Sequence, residues 1–302
     1  MTFAKLLLEW SARNGRADLP WRRERAPYGI VVSEFMLQQT QVERVVPLFE
    51  AFVERWPSFA ALAAASRSDV LRAWRGLGYN LRAVRLHRLA QAVVNEHDGV
   101  LPADETVLRS LPGIGSYTAR AVRAFAFNVD VLAIDTNIRR TVHRTQYGIE
   151  WPPRASAAQL DAAGTALLPA GKGYAFNSAL MDLGATVCTA WAPKCLICPL
   201  QAVCAAAPLD AATVATLAKQ HAPKRGIQER LPFEATSRYV RGRVVERLRS
   251  LPENRRISFL DLYDDLAPAL AHHDAGAVAA IIEGLEADGV LETGAAGIRL
   301  SN

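Results

Sequence analysis

Apolar residues recur every three or four positions through most of this chain, which is the spacing of one face of an α-helix. With proline and glycine as breaks, the pattern predicts helices at residues 2–14, from Pro27 onward, and at 43–56, 67–76, 80–97, 104–110, 116–127 and 135–147. Strict alternation of apolar and polar residues, the pattern of a half-buried strand, is confined to the far C-terminus. The first 205 residues are therefore predicted to be almost purely helical.

The pattern changes after Cys204. Residues 205–235 mix an alanine-rich helix with Pro223, Gly226 and Pro232, which is typical of a linker. Three helices are then predicted at Tyr239–Arg249, around Phe259–Leu266 and at Ala275–Asp288, and two short strands at Val290–Thr293 and Gly297–Leu300. Three helices and a terminal β-hairpin are the outline of a winged helix. Such domains bind DNA or dock proteins, and both alternatives stay open.

The length and composition limit the classes of protein to which this chain can belong. The chain has 302 residues, enough for two domains, and half of them are apolar. No uninterrupted apolar run approaches the ~18 residues of a membrane span. The amphipathic N-terminal segment carries Lys5 and Glu9 and lacks a small-residue cleavage site, so it is not typical of a signal peptide. We expect a soluble cytoplasmic protein without a membrane partner.

The basic residues are unevenly distributed. The formal net charge is only +5, from 35 basic and 30 acidic residues, and does not by itself identify a nucleic-acid partner. Residues 224–256, however, hold ten lysines and arginines against four acidic residues. Such a stretch suits a polyphosphate surface, although a solvated linker and helix face is the common alternative.

Residues 111–119, Leu-Pro-Gly-Ile-Gly-Ser-Tyr-Thr-Ala, predict a tight hairpin between two helices. Pro112 fixes one dihedral angle of the turn, and Gly113 and Gly115 permit positive φ and leave no Cβ in the way. The second helix is predicted to start at Ser116 or the residue after it. Its unpaired backbone N–H groups would then point out of the hairpin at the positive end of the helix dipole, which is a phosphate-binding arrangement. A joint that binds nothing is the alternative.

The four cysteines fall within seventeen residues, as Cys188-x6-Cys195-x2-Cys198-x5-Cys204. Because an intracellular chain seldom uses crowded cysteines for disulfides, four thiolates at this spacing predict a zinc or iron–sulfur site. Zinc sites usually combine two short Cys pairs, whereas this segment has one short pair between longer gaps. The spacing leaves both open and favours a [4Fe–4S] cluster. Its expected role is structural, beside Lys194, which could face phosphate.

The hairpin, an aspartate some twenty residues further on and the cysteine spacing together resemble the endonuclease III superfamily of DNA glycosylases, over about residues 4–204. Segments similar to the MutY-type adenine glycosylases of that superfamily, in a short-tailed form, lie at residues 19–22, 33–42, 76–79 and 181–185. The resemblance implies an all-α helix-hairpin-helix glycosylase fold, to which the C-terminal pattern adds a small winged-helix-like α+β domain. The expected domains are an iron–sulfur helical domain at 1–26 and 131–204, a six-helix barrel at 27–130, a linker at 205–235 and the winged-helix-like domain at 236–302.

A glycosylase must flip a nucleotide out of the duplex, protonate the departing base and stabilise the charge that grows on the sugar. The acid needs a raised pKa in an apolar setting, and Glu34 lies among apolar neighbours. A lone glutamate there is more often exposed or salt-bridged, but the resemblance implies that Glu34 protonates adenine N7 and activates the water. It likewise implies that Asp135 stabilises the oxocarbenium-like sugar, with an N-cap as the alternative. Asn137 is expected to hold Asp135 or a phosphate, or to be only a first-turn polar residue.

Tyr117 bears on the type of reaction. Bifunctional relatives carry a lysine at this hairpin position, whose amine forms a Schiff base with the sugar and cuts the strand. A phenol cannot form an imine, so we expect a monofunctional enzyme that leaves an abasic site. Tyrosine here also occurs in thymine-mismatch glycosylases and therefore does not identify the base.

The remaining expected DNA contacts come from the resemblance. Gln38 and Gln39 follow the catalytic helix, where amides can enter the base stack and fill the gap left by the flipped nucleotide. Trp21 and Arg22 are similar to pocket residues that stack on and hydrogen-bond adenine, although Trp21 could also be ordinary core. Tyr79, in Gly-Leu-Gly-Tyr, is assigned to the same surface.

Three features depart from the family pattern. Asn80 stands where a second tyrosine commonly wedges beside the damaged guanine, and Ser178 stands where Glu or Gln usually reads the adenine edge. The C-terminal domain is too short and too helical for the Nudix-like domain that contacts 8-oxoguanine. Adenine removal is still expected, with a weaker inferred preference for 8-oxoguanine.

The leading hypothesis is a monofunctional base excision repair glycosylase that removes adenine mispaired with guanine or 8-oxoguanine, with cytosine as a further option. One alternative is an enzyme of the same fold that acts on thymine or uracil opposite guanine. Another is a non-catalytic iron–sulfur DNA-binding protein, for which Glu34 and Asp135 would be incidental. The expected partner is double-stranded DNA with a mispair, the expected state a monomer, and the expected location the nucleoid.

Overall fold

The computed structural model describes residues 2–221 and 232–302, and helices make up almost all of its regular structure. The α-helices are, in chain order, α1 Phe3–Asn14, α2 Pro20–Arg23, α3 Pro27–Leu37, α4 Val42–Arg55, α5 Phe59–Ala63, α6 Arg67–Ala73, α7 Leu81–His97, α8 Glu105–Ser110, α9 Ser116–Phe127, α10 Thr136–Tyr147, α11 Ala157–Leu167, α12 Gly173–Thr186, α13 Ala211–His221, α14 Ser237–Arg249, α15 Phe259–Leu266 and α16 Ala275–Ala287. The strands are β1 Leu291–Glu292 and β2 Arg299–Leu300, and single-turn 3₁₀ helices lie at Cys195–Ile197, Gln201–Val203, Phe233–Ala235 and Ala267–Ala269. In the described ranges, no helix is both long and apolar enough to cross a membrane.

The helix limits follow local sequence signals. Side-chain oxygens accept a backbone N–H of the first turn at Thr2, Ser58, Ser66, Asp135, Ser156, Thr236, Ser258 and Asp274. Each satisfies a donor that would otherwise lack a partner at a helix start. The predicted helices before residue 148 and after residue 236 accordingly agree with the observed ones to within three residues.

The chain forms two compact units. Unit 1 comprises residues 1–34, 102–110 and 114–225, and unit 2 comprises residues 35–101, 111–113 and 226–302. These limits differ from those of the predicted domains, whose boundaries stay a prediction. Within the predicted linker, residues 211–221 form α13. Residues 222–231, with Lys224, Arg225 and Arg230 of the basic stretch, lie outside the described residues.

Unit 1 is built around apolar side chains from α1, α10, α11 and α12. Its buried core includes Phe3, Leu7, Ile138, Val142, Leu160, Phe176, Leu180 and Leu183. The close approach of α10 and α12 depends on Gly184, because a Cβ there would lie 2.6 Å from the Cβ of Asn137. Packing against α12 therefore fixes the first turn of α10.

Unit 2 contains the helices α4 to α7 and the C-terminal domain. Trp74 is fully buried, meets the ring of Phe52 edge-on at 6.0 Å and donates its indole N–H to the carbonyl of Gly78 at 3.2 Å. In the C-terminal domain α14 packs against α15 and α16, and β1 pairs antiparallel with β2. Ile257 adds a bridge to Ile298. The predicted three helices and terminal β-hairpin are thus confirmed.

Candidate active site

The predicted hairpin lies between α8 and α9, and α9 begins at Ser116 as predicted. Gly113 has a φ of 81°, and a Cβ there would lie 2.8 Å from the ring of Phe35, so the position requires glycine. Gly115 has a φ of −90° and open space around it, so only Gly113 uses the positive φ that both glycines permit. No side chain caps α9, which leaves its first backbone N–H groups without a side-chain acceptor.

Three predicted catalytic side chains come together in unit 1. Glu34 comes from α3, Tyr117 from the first turn of α9 and Asp135 from the N-cap of α10. All three are partly buried. The Tyr117 hydroxyl donates a hydrogen bond to the Glu34 carboxyl, and Asp135 is close enough to act on the charge of both. We call these residues the catalytic cluster.

Burial changes the acid strength of the cluster. It raises the pKa of Glu34 to about 7, with the Tyr117 hydrogen bond acting in the opposite direction and the charge of Asp135 raising it further. Burial and the two neighbouring carboxyl groups also raise the pKa of Tyr117, so the phenol stays a neutral donor. A carboxyl that titrates near neutral pH can give a proton to a leaving group and later accept one from water.

Two donors fix the Asp135 carboxylate in one orientation. Its Oδ1 accepts the backbone N–H of Ile138 at 2.7 Å, and its Oδ2 accepts the Asn137 amide at 3.0 Å. Burial raises the pKa of Asp135, while these donors and the charge of Arg140 lower it. Asp135 is therefore the N-cap of α10, and the expected contact from Asn137 is present.

The loop before Asp135 is held by residues that the sequence did not single out. The buried Asn177 accepts the backbone N–H of Ala133 and donates to the carbonyl of Val131, both at 2.8 Å. The carboxylate of Asp130 accepts three backbone N–H groups at the start of α12. An asparagine inside an apolar helix was the available signal, because a buried amide needs partners.

Trp21 and Arg22 lie on α2. Trp21 is buried. Arg22 donates to the Asp182 carboxylate at 2.6 and 3.1 Å, and Arg16 donates to the same carboxylate through Nε at 2.7 Å. Burial alone would raise the pKa of Asp182, but these partners lower it. Arg22 thus belongs to a buried ion pair, and its contact with adenine stays a prediction.

Ser178 is buried on α12, where the resemblance expects a longer polar side chain. Among the described residues its hydroxyl finds no hydrogen-bond partner. It lines a cavity of about 310 Å³ together with Arg22 and Tyr174. The shorter side chain therefore leaves space beside the Arg22 ion pair.

Gln38, Gln39 and Tyr79 lie on two turns of unit 2. Gln39 and Tyr79 have φ of 56° and 46°, in the left-handed region that side chains of these types rarely adopt. Tyr79 is 42% exposed. One buried guanidinium, that of Arg82, donates to the carbonyls of Phe35, Met36, Gln38, Leu77 and Gly78 and to the Thr40 hydroxyl. The two turns therefore share one support.

The four cysteines line one cavity of unit 1. Over the part of the chain that the structure describes, no three His, Cys, Asp or Glu side chains are arranged to hold a single metal ion. Burial raises the pKa of Cys198 to about 11. The four thiols thus share one cavity.

Two arginines of α10 hold the loop that begins at Cys188. Arg144, which is buried, donates to the carbonyls of Thr189 and Ala190 at 2.7 and 3.0 Å. Arg140 donates to the carbonyl of Cys188 at 2.7 Å and to the side chain of Asn137 at 2.8 Å. Helix α10 therefore connects the cysteine loop with the residue that orients Asp135.

Comparison with known proteins identifies the family. Residues 32–162 match the model of the HhH-GPD superfamily of base excision DNA repair proteins. The adenine DNA glycosylase of Mycolicibacterium smegmatis is 46% identical over 245 residues, which cover 80% of this chain and 79% of that relative. The chain belongs to the adenine DNA glycosylases. As a member of this family it is a DNA-binding enzyme of base excision repair.

Solved structures confirm the fold of this adenine DNA glycosylase. A thermostable thymine-DNA glycosylase matches with a TM-score of 0.61 and 31% identity, covering 67% of this chain and 94% of that chain. A trapped endonuclease III–DNA covalent intermediate matches with a TM-score of 0.57 and 21% identity, covering 67% of this chain and 92% of that chain. The predicted all-α helix-hairpin-helix glycosylase fold is therefore correct.

Proposed function

We propose that this adenine DNA glycosylase removes adenine mispaired with guanine or 8-oxoguanine by hydrolysis of the N-glycosidic bond, without cutting the strand. The catalytic cluster carries the proposal, because it sets a carboxyl with a pKa of about 7 beside a second carboxylate held by two donors. A monomer is the proposed state. The proposed location is the nucleoid in the cytoplasm.

The proposed reaction uses the two carboxyl groups in turn. The protonated Glu34 gives its proton to N7 of the flipped adenine, and the C1′–N9 bond breaks with its electron pair on the base. Asp135 stabilises the positive charge left on the sugar. The ionised Glu34 then takes a proton from a water molecule as the water oxygen bonds to C1′. The products are free adenine and an abasic site.

Tyr117 is proposed to orient the acid and not to attack the sugar. Its hydroxyl bonds to Glu34, and its raised pKa keeps it protonated. A neutral phenol cannot form the imine that a lysine forms. The abasic strand should therefore stay intact until alkali cleaves it.

The remaining predicted residues are proposed to bind DNA. The hairpin at Gly113 and Gly115 offers backbone N–H groups at the start of α9 to a phosphate. Gln38, Gln39 and Tyr79 would enter the base stack from the turns that Arg82 supports. Trp21 and Arg22 would border the adenine, with Arg22 still bonded to Asp182.

We further propose that the cysteine cavity holds a [4Fe–4S] cluster and not zinc. The four thiols share one cavity, and their spacing along the chain, with one short pair between longer gaps, supports this group. Thiolates are the usual ligands of such clusters, and the cluster would hold the loop that α10 grips. Purified protein should contain about four iron and four sulfide per chain; stoichiometric zinc instead would overturn the proposal.

The substrate proposal is tested with duplexes that contain A:G, A:8-oxoG, A:C or T:G, labelled on the strand that carries A or T. We expect strand breaks with A:G and A:8-oxoG only after alkali, and the A:C duplex shows whether cytosine is accepted. Thymine release without adenine release would favour the thymine alternative, which the likeness to a thymine-DNA glycosylase supports. Breaks without alkali would contradict a monofunctional reaction.

A further inference from the structure

Unit 2 contains an open cleft of about 620 Å³ between the two turns that Arg82 supports and the C-terminal domain. One wall carries Gln38, Gln39 and Tyr79. The other carries Phe233, in the 3₁₀ turn before α14, and Arg238 and Arg241 near the start of α14. No sequence motif predicted that these segments meet. We call this feature the C-terminal cleft.

The C-terminal domain is fixed where it lines the cleft. The guanidinium of Arg249 donates to the carbonyl of Leu71 at 2.9 Å and to the side-chain carbonyl of Asn80 at 2.7 Å. Arg75 and Glu246 form an ion pair between α14 and the segment after α6. Asn80 departs from the family pattern, and its side-chain carbonyl accepts this hydrogen bond from Arg249. A tyrosine at this position has no side-chain carbonyl to accept it.

The groups exposed in the cleft are those that bind nucleotides. Phe233 is 55% exposed and Tyr79 is 42% exposed, so part of each ring is open to solvent, and the Phe233 ring can stack on a base. The guanidinium of Arg238 lies 4.6 Å from the centre of the Tyr79 ring, and no ion pair to it is found within residues 2–221 and 232–302. Arg85 is a second exposed cation of the cleft. Exposed cations and rings on a fixed support suit a nucleic-acid strand.

The position of the glutamines along the chain indicates which strand. Gln38 and Gln39 follow Glu34 by four and five residues, at the end of α3. When adenine leaves the stack for Glu34, the base opposite it loses its partner. The residues after α3, and the cleft that they line, would then lie next to that unpaired base.

We propose that Phe233 and Arg238 of the C-terminal domain bind the strand opposite the flipped adenine. Phe233 stacks on a base, and Arg238 binds a backbone phosphate while it rests on Tyr79. This assignment rests on the proposed function, and it gives the appended domain a part in holding the substrate.

The first test compares two arginines of α14 that carry the same charge. Arg238→Ala should weaken binding to a duplex with an abasic-site analogue opposite guanine about tenfold, and lower the slope of log K against log salt by about one. Arg243→Ala is the matched control, because Arg243 is exposed on the same helix and does not line the cleft. It should change the affinity less than about twofold, and Arg238→Lys should keep the salt slope. Equal losses for the two alanine variants would overturn the proposal.

The second test reports the strand directly. A photo-crosslinking residue at position 233 should capture the strand opposite adenine when the two strands carry different dyes. The same residue at position 260 is the control, because Leu260 is 70% exposed on α15 outside the cleft. Capture of the adenine strand, or equal capture from both positions, would contradict the assignment.

Adenine release by the unmodified protein is measured in the same preparations. Absence of release from every duplex would count against the proposed function, whichever strand is captured. Release by the unmodified protein together with equal binding by Arg238→Ala and Arg243→Ala would count against the C-terminal cleft alone. The two failures are therefore distinguishable.

Discussion

The catalytic cluster and the C-terminal cleft use charged groups in opposite ways. In the cluster, Glu34 and Asp135 are withdrawn from water, and burial raises the pKa of both. In the cleft, the side chains of Arg85 and Arg238 are exposed to solvent. The first arrangement changes the reactivity of a group, whereas the second attracts a polyanion. Substitutions in the cluster should therefore change the rate, and substitutions in the cleft the affinity.

The largest expected effect is that of Asp135→Asn. The substitution removes the negative charge that would stabilise the sugar cation but keeps the size of the side chain, so the single-turnover rate of adenine release should fall about 10³-fold. Affinity for a duplex that contains an abasic-site analogue should stay within about twofold, as measured by fluorescence anisotropy. A large loss of affinity at unchanged rate would break the contrast between cluster and cleft.

Glu34 should make the rate depend on pH. Its pKa of about 7 means that the acid form predominates below that pH and decreases about tenfold per unit above it. The single-turnover rate should follow that decrease. Glu34→Gln, which has no proton to give, should be slower by about 10²-fold or more at neutral pH. A rate that stays constant well above neutrality would exclude Glu34 as the acid.

The hairpin offers a pair of glycines for a stability test. Gly113→Ala places a Cβ at a φ of 81° and 2.8 Å from the Phe35 ring, which should lower the free energy of unfolding by about 2 kcal/mol. Gly115→Ala meets open space at a φ of −90° and should change it by less than about 1 kcal/mol. Urea denaturation measures both values. Equal values would mean that the hairpin backbone differs from the one described.

The smallest expected effect is a shift in the pH profile. Tyr117→Phe removes the hydrogen bond that lowers the pKa of Glu34, so that pKa should rise. The decline in rate should then begin at a higher pH, with affinity for the abasic duplex unchanged. A decline that begins at a lower pH would contradict the contact between Tyr117 and Glu34.

The sequence predicted helices best where capping and breaking residues mark their ends. It assigned no helix at α2, α5, α11 or α12, although Pro20 begins α2. Helix α12 is buried around most of its surface, so its apolar residues form no one-sided stripe that periodicity could detect. The missed helix carries Asn177 and Asp182, which help to position the loop before Asp135 and the Arg22 ion pair.

Sequence reasoning identified only those site residues that belong to recognisable motifs. The resemblance singled out Glu34, Tyr117 and Asp135, which the structure brings together. Contacts between distant segments carry no local pattern: Arg249 and Asn80 are 169 residues apart, and Arg22 and Asp182 are 160 apart. The C-terminal cleft is built from contacts of this kind, so its residues could be identified only from the three-dimensional structure.

Arg82 joins two segments that are distant in the sequence, the one that ends at Gln38 and the one that contains Leu77 and Gly78, so both become ordered as the protein folds. Its guanidinium bonds to backbone carbonyls of both loops at 2.6–3.2 Å. Fixing free loops on contact with a ligand would oppose association by about 1 kcal/mol or more of conformational entropy for each residue. Here that entropy is lost during folding, so the backbone at Gln39 and Tyr79 is already ordered before any ligand binds. A lysine, with one nitrogen on a flexible stem, could not hold both loops at once.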